Sequence, residues 1–144
     1  MPDKIFFDTN ILVYLSSQES PFHLRVLEKV KELIDKYEIW ISRQVLREYA
    51  VVMTNSSLLQ KPLSSVEVEK DMEKWANIFR VADEIEETTI NLRELIVLYD
   101  IKGKNIHDAN IIATMKTYNI ESLFTLDSKD FKRFREIKLI QIEK

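Results

Sequence analysis

With 144 residues, 45% apolar and 31% charged, the chain has the make-up of one soluble globular domain spanning 1–144, large enough to bury a proper core. A formal net charge of −3 argues against a wholesale basic nucleic-acid binder, although 21 Lys and Arg leave room for local basic clusters. There is no cysteine, which excludes disulfides, thiolate zinc sites and thiol nucleophiles.

Two further scarcities narrow the chemistry. Only His23 and His107 could offer imidazole, so a histidine zinc site is a poor reading. The single glycine, Gly103, cannot build a Walker or dinucleotide phosphate loop. Any bound metal would therefore be held by oxygen, which favours Mg²⁺ or Mn²⁺. No apolar run approaches the ~18 residues of a membrane span. The N-terminus lacks the basic and apolar regions of a signal peptide, so the expected location is cytoplasmic, away from membranes.

In chain order, "KIFF" reads as a first strand running into Asp8, with a helix starting near Thr9. Ser20-Pro21 has the form of a helix cap and an N1 proline, with Leu27, Val30, Ile34 and Tyr37 following at helical spacing. "EIWI" is a second strand, and Ser42 should cap a helix running through Met53. The segment "TNSSLLQKPLSS" is the main irregular stretch. Val68, Met72, Trp75 and Phe79 mark one helix beyond it, and Leu92, Leu95, Ile96 and Tyr99 another. "SLFTL" before Asp127 and "KLIQI" near the end complete four strands recognisable by pattern. Strands alternating with helices imply a parallel sheet covered on both faces, with its ligand site beyond the C-terminal strand ends.

That arrangement sends four acids toward one rim. Asp8 and Asp127 end strands, while Glu48 and Asp108 lie in early turns of helices. Each has a plain structural explanation. Asp8 could cap the helix at Thr9, and Asn105/Asp108 and Asp127/Asp130 have capping-box spacing. Glu48 on its own could be a solvated helix charge. Yet Asp108, Ile111, Ile112 and Met115 share one helical stripe that carries no Lys or Arg, and Glu48 falls between Val45 and Val52. Carboxylates are rarely buried unpaired, and a shared divalent cation would relieve both desolvation and mutual repulsion.

Four stretches together resemble the PIN-domain ribonucleases, most closely the VapC-type toxins: "FFDTNILVY", "SRQVLREYAVVM", "NIHDANIIATMKTYNI" and "LFTLDSKDF". The likeness covers nearly the whole chain. It implies a three-layer α/β/α fold around a small parallel sheet of about five strands. It also implies that Asp8, Glu48, Asp108 and Asp127 hold one or two Mg²⁺ or Mn²⁺ ions, supported by Asn10, Thr125 and Asp130. The implied reaction is metal-activated hydrolysis of RNA, leaving a 5′-phosphate and a 3′-hydroxyl. The same resemblance implies a cognate antitoxin and a homodimer as partners, with helices of the N-terminal half receiving the antitoxin.

Several roles stay open at the level of sequence. RNA phosphates could meet Lys102 and Lys104 around Gly103, or Lys129, Lys132 and Arg133 after the last motif; plain solubility is the competing explanation. His107 fits an orienting or packing role better than a proton shuttle, and His23 reads as a surface residue. Leu58, Leu59 and Leu63 could face the antitoxin or the chain's own core. A housekeeping RNA nuclease and a non-catalytic interaction module compete with the toxin. A dehalogenase-like phosphatase, which wants a second Asp where Asn10 stands, is a weaker alternative.

Overall fold

The computed structural model describes residues 2–142. Its five strands are β1 (Asp3–Phe7), β2 (Tyr37–Ser42), β3 (Arg80–Ala82), β4 (Ser122–Phe124) and β5 (Lys138–Ile140). They form one wholly parallel sheet in the order β3-β2-β1-β4-β5. The helices are α1 (Thr9–Ser16), α2 (His23–Ile34), α3 (Arg43–Met53), α4 (Ser65–Ile78), α5 (Glu86–Tyr99), α6 (Asn105–Thr117) and the short α7 (Ser128–Phe131).

The central strand explains the sheet. Ile5, Phe6 and Phe7 are fully buried, as both faces of a parallel sheet require. Phe6 stands in register with Trp40 on one side and Leu123 on the other. The Phe7 ring meets Phe79 and Phe124 edge-on at 5.6 and 5.5 Å, which seats β1 against the chain's second half. Strand order reverses at β1: the chain first builds outward through β2 and β3, then returns to lay β4 and β5 on the other side. The crevice at such a reversal is where doubly wound sheets bind ligands.

Most expected elements appear, with three corrections. First, α2 starts at His23, with no side-chain cap on its N-terminus. Ser20 Oγ instead accepts a hydrogen bond from the Phe22 amide, so Pro21 lies in a turn before the helix. Second, the buried stripe of α2 is Val26, Val30 and Leu33; Ile34 is exposed and Tyr37 already opens β2. Third, the pattern gave four strands, and β3 is the one it lacked. Its three residues, Arg-Val-Ala, are too few to show periodicity. Ser42 caps α3 as expected, its Oγ accepting from the Val45 amide at 3.2 Å. Residues 54–64 are irregular, ending in a complete capping box between Ser64 and Glu67 that starts α4.

Candidate active site

One cleft of about 1150 Å³ opens at the C-terminal ends of the strands. Asp8, Asn10, Glu48, Asp108, Asp127 and Asp130 all line it, so residues scattered along the chain meet on one wall. Each arrives by a local route.

Asp8 follows β1 directly, and its amide donates to the Phe124 carbonyl at 3.0 Å, carrying the β1–β4 ladder one residue further. The capping explanation holds in part: Oδ1 accepts from the Thr9 amide at 2.8 Å. Oδ2 accepts from Thr125 Oγ1, also at 2.8 Å. Thr125 is fully buried, and its oxygen additionally accepts from the Asp127 amide at 3.0 Å. Asn10 bridges the pair, its Nδ2 donating to Asp127 Oδ2 at 3.1 Å and, more weakly, to Thr125 Oγ1 at 3.4 Å. The four residues thus lock the ends of β1 and β4 together.

Glu48 is held separately. Thr9 Oγ1 donates to one carboxylate oxygen at 2.9 Å and Gln44 Nε2 to the other at 3.0 Å. Asp108 sits half-buried in the first turn of α6, whose Ile111, Ile112 and Met115 are buried as the stripe required. The capping-box readings for Asn105/Asp108 and Asp127/Asp130 fail: α6 has Lys104 at its N-cap with no side-chain bond, and Asp127 makes none at α7.

The electrostatics follow from this crowding. Burial is the main force pushing the Asp8 carboxyl up to about 7, against the Thr125 and Thr9 hydrogen bonds, with Glu48 and Asp127 adding repulsion. Asp108 rises to about 6, again mainly by desolvation, with Asp130, Glu48 and Asp127 contributing and Arg133 opposing. Among the described residues none of these acids belongs to an ion pair. The acids therefore crowd one wall with no salt-bridge partner among the described residues, although Arg47 and Lys61 line the same cleft.

Oxygen-only donors with unpaired charge suit a hard divalent cation. As the side chains stand, no three acidic or histidine groups among the described residues form a finished cage for an ion. Asp8, Glu48 and Asp127 are tethered by hydrogen bonds, whereas half-buried Asp108 has no side-chain hydrogen-bond partner among the described residues and has room to adjust.

Other expected residues fall elsewhere. Lys102, Lys104, Lys129, Lys132 and Arg133 are all exposed, and none lines the cleft. Lys102 lies 3.6 Å from Asp100, and α7 turns Asp130 and Phe131 toward the cleft instead of its basic residues. The basic residues on the wall are Arg47 and Lys61, which motif reading passed over. His107 is exposed at the cleft rather than packed, and His23 is half-buried, its Nδ1 2.8 Å from the Tyr14 carbonyl oxygen. Leu58 is 62% exposed and lines the cleft, while Leu59 and Leu63 pack partly on the core.

The PIN-domain family model matches residues 5–137. The chain belongs to the PIN-domain family. Ribonuclease VapC2 of Methanocaldococcus jannaschii is 32% identical over 155 residues, covering 97% of this chain and 95% of that protein. Ribonuclease VapC48 of Mycobacterium tuberculosis is 23% identical, covering 92% and 93% respectively. Among solved structures, VapBC2 from Rickettsia felis, bound to a promoter DNA fragment, superposes with a TM-score of 0.73. That match has 20% identity and covers 96% of this chain and 98% of the other, which supports the fold. Membership of the PIN family removes the dehalogenase-like phosphatase reading.

Proposed function

We propose that this PIN domain is a Mg²⁺- or Mn²⁺-dependent endoribonuclease that acts as the toxin of a toxin–antitoxin pair. The observation that carries the reading is the convergence of Asp8, Glu48, Asp108 and Asp127 on one cleft wall, none of them in a salt bridge among the described residues. Relatives named ribonuclease VapC, and solved VapBC complexes of the same fold, support the toxin assignment and a cognate antitoxin.

In this reading the four acids hold the cation, and Asp130 adds negative charge beside Asp108. The bound cation neutralises phosphodiester charge and lowers the pKa of an attacking water. Thr125 and Asn10 keep Asp8 and Asp127 in fixed orientation, and Thr9 does the same for Glu48. Arg47 and Lys61 stand on the wall as phosphate contacts that place the RNA strand. Bringing these carboxylates to the charged state releases protons, so cation binding strengthens as pH rises through about 6 to 7. A homodimer is part of the proposal. The α5 residues Val97 and Leu98, 82% and 69% exposed, offer an apolar surface for it.

The test is cleavage of a mixed RNA pool with Mn²⁺ or Mg²⁺, alongside EDTA and the Asp8→Asn and Asp108→Asn variants. Metal-dependent cleavage lost in both variants supports the assignment. Cleavage that persists in EDTA, or in either variant, rejects it.

A further inference from the structure

Gln44 lies one helical turn before Glu48 on α3 and is only 1% exposed. A buried primary amide is costly unless its hydrogen bonds are made. Here they are made in a specific way. Nε2 donates both to Glu48 Oε1 at 3.0 Å and to the His107 backbone oxygen at 2.8 Å. Oε1 accepts from Asn110 Nδ2 at 2.8 Å, and that same Nδ2 also donates to Glu84 Oε1 at 3.0 Å. Both partners of Gln44 Nε2 are pure acceptors, so the amide has one chemically sensible orientation.

The two Nε2 bonds reach the two helices that deliver acids to the cleft. One fixes a carboxylate oxygen of Glu48 on α3. The other grips the first turn of α6 at His107, directly before Asp108. With Thr9 on the opposite oxygen of Glu48, that carboxylate is oriented from both sides. A bond to His107 alone would suffice to dock α3 on α6. The second bond serves the carboxylate.

We propose that Gln44 is a positioning residue for a divalent cation: it orients Glu48 and sets the spacing between Glu48 and Asp108, with Asn110 holding its amide in place. The inference rests on the proposed cation site and adds two residues to its support. Groups that orient metal ligands typically change affinity by about tenfold to hundredfold when lost.

The experiment is a Mn²⁺ titration of the EDTA-stripped full chain, with free Mn²⁺ followed by electron paramagnetic resonance and folding checked by thermal melting. Gln44→Met should weaken Mn²⁺ binding about tenfold or more, and Asn110→Ala about threefold, each with a cooperative melt. In a Glu48→Ala background, adding Gln44→Met should change affinity less than about twofold, because the carboxylate it orients is gone. Equal binding by Gln44→Met and wild type overturns the inference, as do losses from Gln44 and Glu48 that simply multiply. Should Gln44→Met fail to melt cooperatively, Asn110→Ala decides alone, and wild-type affinity there overturns it. Equal Mn²⁺ binding by wild type and Asp8→Asn rejects the cation site itself and the Gln44 role with it. A loss in Asp8→Asn with none in Gln44→Met rejects the Gln44 role only.

Discussion

Asp8 makes the metal-free protein less stable as pH rises. Its carboxyl ionises near 3.8 in the unfolded chain and near 7 when folded, so between these values the folded state binds more protons. The resulting penalty is about 1.7 kcal/mol at pH 5 and about 4 kcal/mol at pH 8. Asp8→Asn removes the titration, keeps an acceptor for the Thr9 amide and nearly conserves shape. Any loss in the Thr125 contact is independent of pH and cancels when two pH values are compared. The variant's advantage over wild type in EDTA should thus grow by about 2–3 kcal/mol from pH 5 to pH 8. For a domain of this size that is roughly 6–10 °C of additional Tm difference. Thermal melts of both proteins at the two pH values are sufficient. An advantage that is flat with pH, or that shrinks toward pH 8, would refute the argument from burial. Excess Mn²⁺ should reverse the ordering at pH 8, since wild type alone gains from binding.

Three further outcomes are expected. Thr125→Val keeps the shape of a fully buried side chain but strips partners from Asp8, Asn10 and the Asp127 amide. Denaturant unfolding should show a loss of about 1–3 kcal/mol, and an unchanged midpoint would contradict the network's role. In an Asp108→Asn background, chosen to suppress the proposed cleavage, Arg47→Ala and Lys61→Ala should each weaken RNA binding and flatten its salt dependence by about 0.7 in log–log slope. Lys102→Ala and Lys104→Ala should leave that slope alone, and the opposite pattern would return the phosphate contacts to the α5–α6 loop. Tyr49→Phe removes a buried hydroxyl that donates to Asp71 and meets Ser16, both at 2.7 Å. It should destabilise by about 1–2 kcal/mol in chemical unfolding, and a neutral result would mean water replaces the hydroxyl freely.

What sequence reading captured depended on how local each signal was. "KIFF" and the Ser42 cap announce themselves within a few residues, and both stand as expected. The irregular stretch before α4 was equally local. The start of α2 differs from the expected one because Ser-Pro suits either a helix cap or a turn, and here the Ser20 hydroxyl closes a local turn with the Phe22 amide. β3 has no pattern of its own; it exists because Trp40, Ile41 and Ser42 offer a parallel edge. The four acids were legible because each broke an apolar context. Gln44, Thr9, Arg47 and Lys61 broke nothing. A glutamine or threonine in a helix looks like solvated surface until the neighbouring helix is placed, and a basic residue carries no sign of which wall it faces.

The tie between Asp8 and Thr125 joins positions 117 residues apart, across the seam where β4 lies against β1. During synthesis the first strand, α1 and the Glu48 helix all emerge while β4 is still unmade. The acid wall is assembled only when the last third of the chain returns to the sheet's centre, a closure with high loop entropy. A ribosome making this protein is thus exposed to the finished cleft only after nearly the whole chain is translated. Under the proposed ribonuclease activity, the order of strands doubles as a delay.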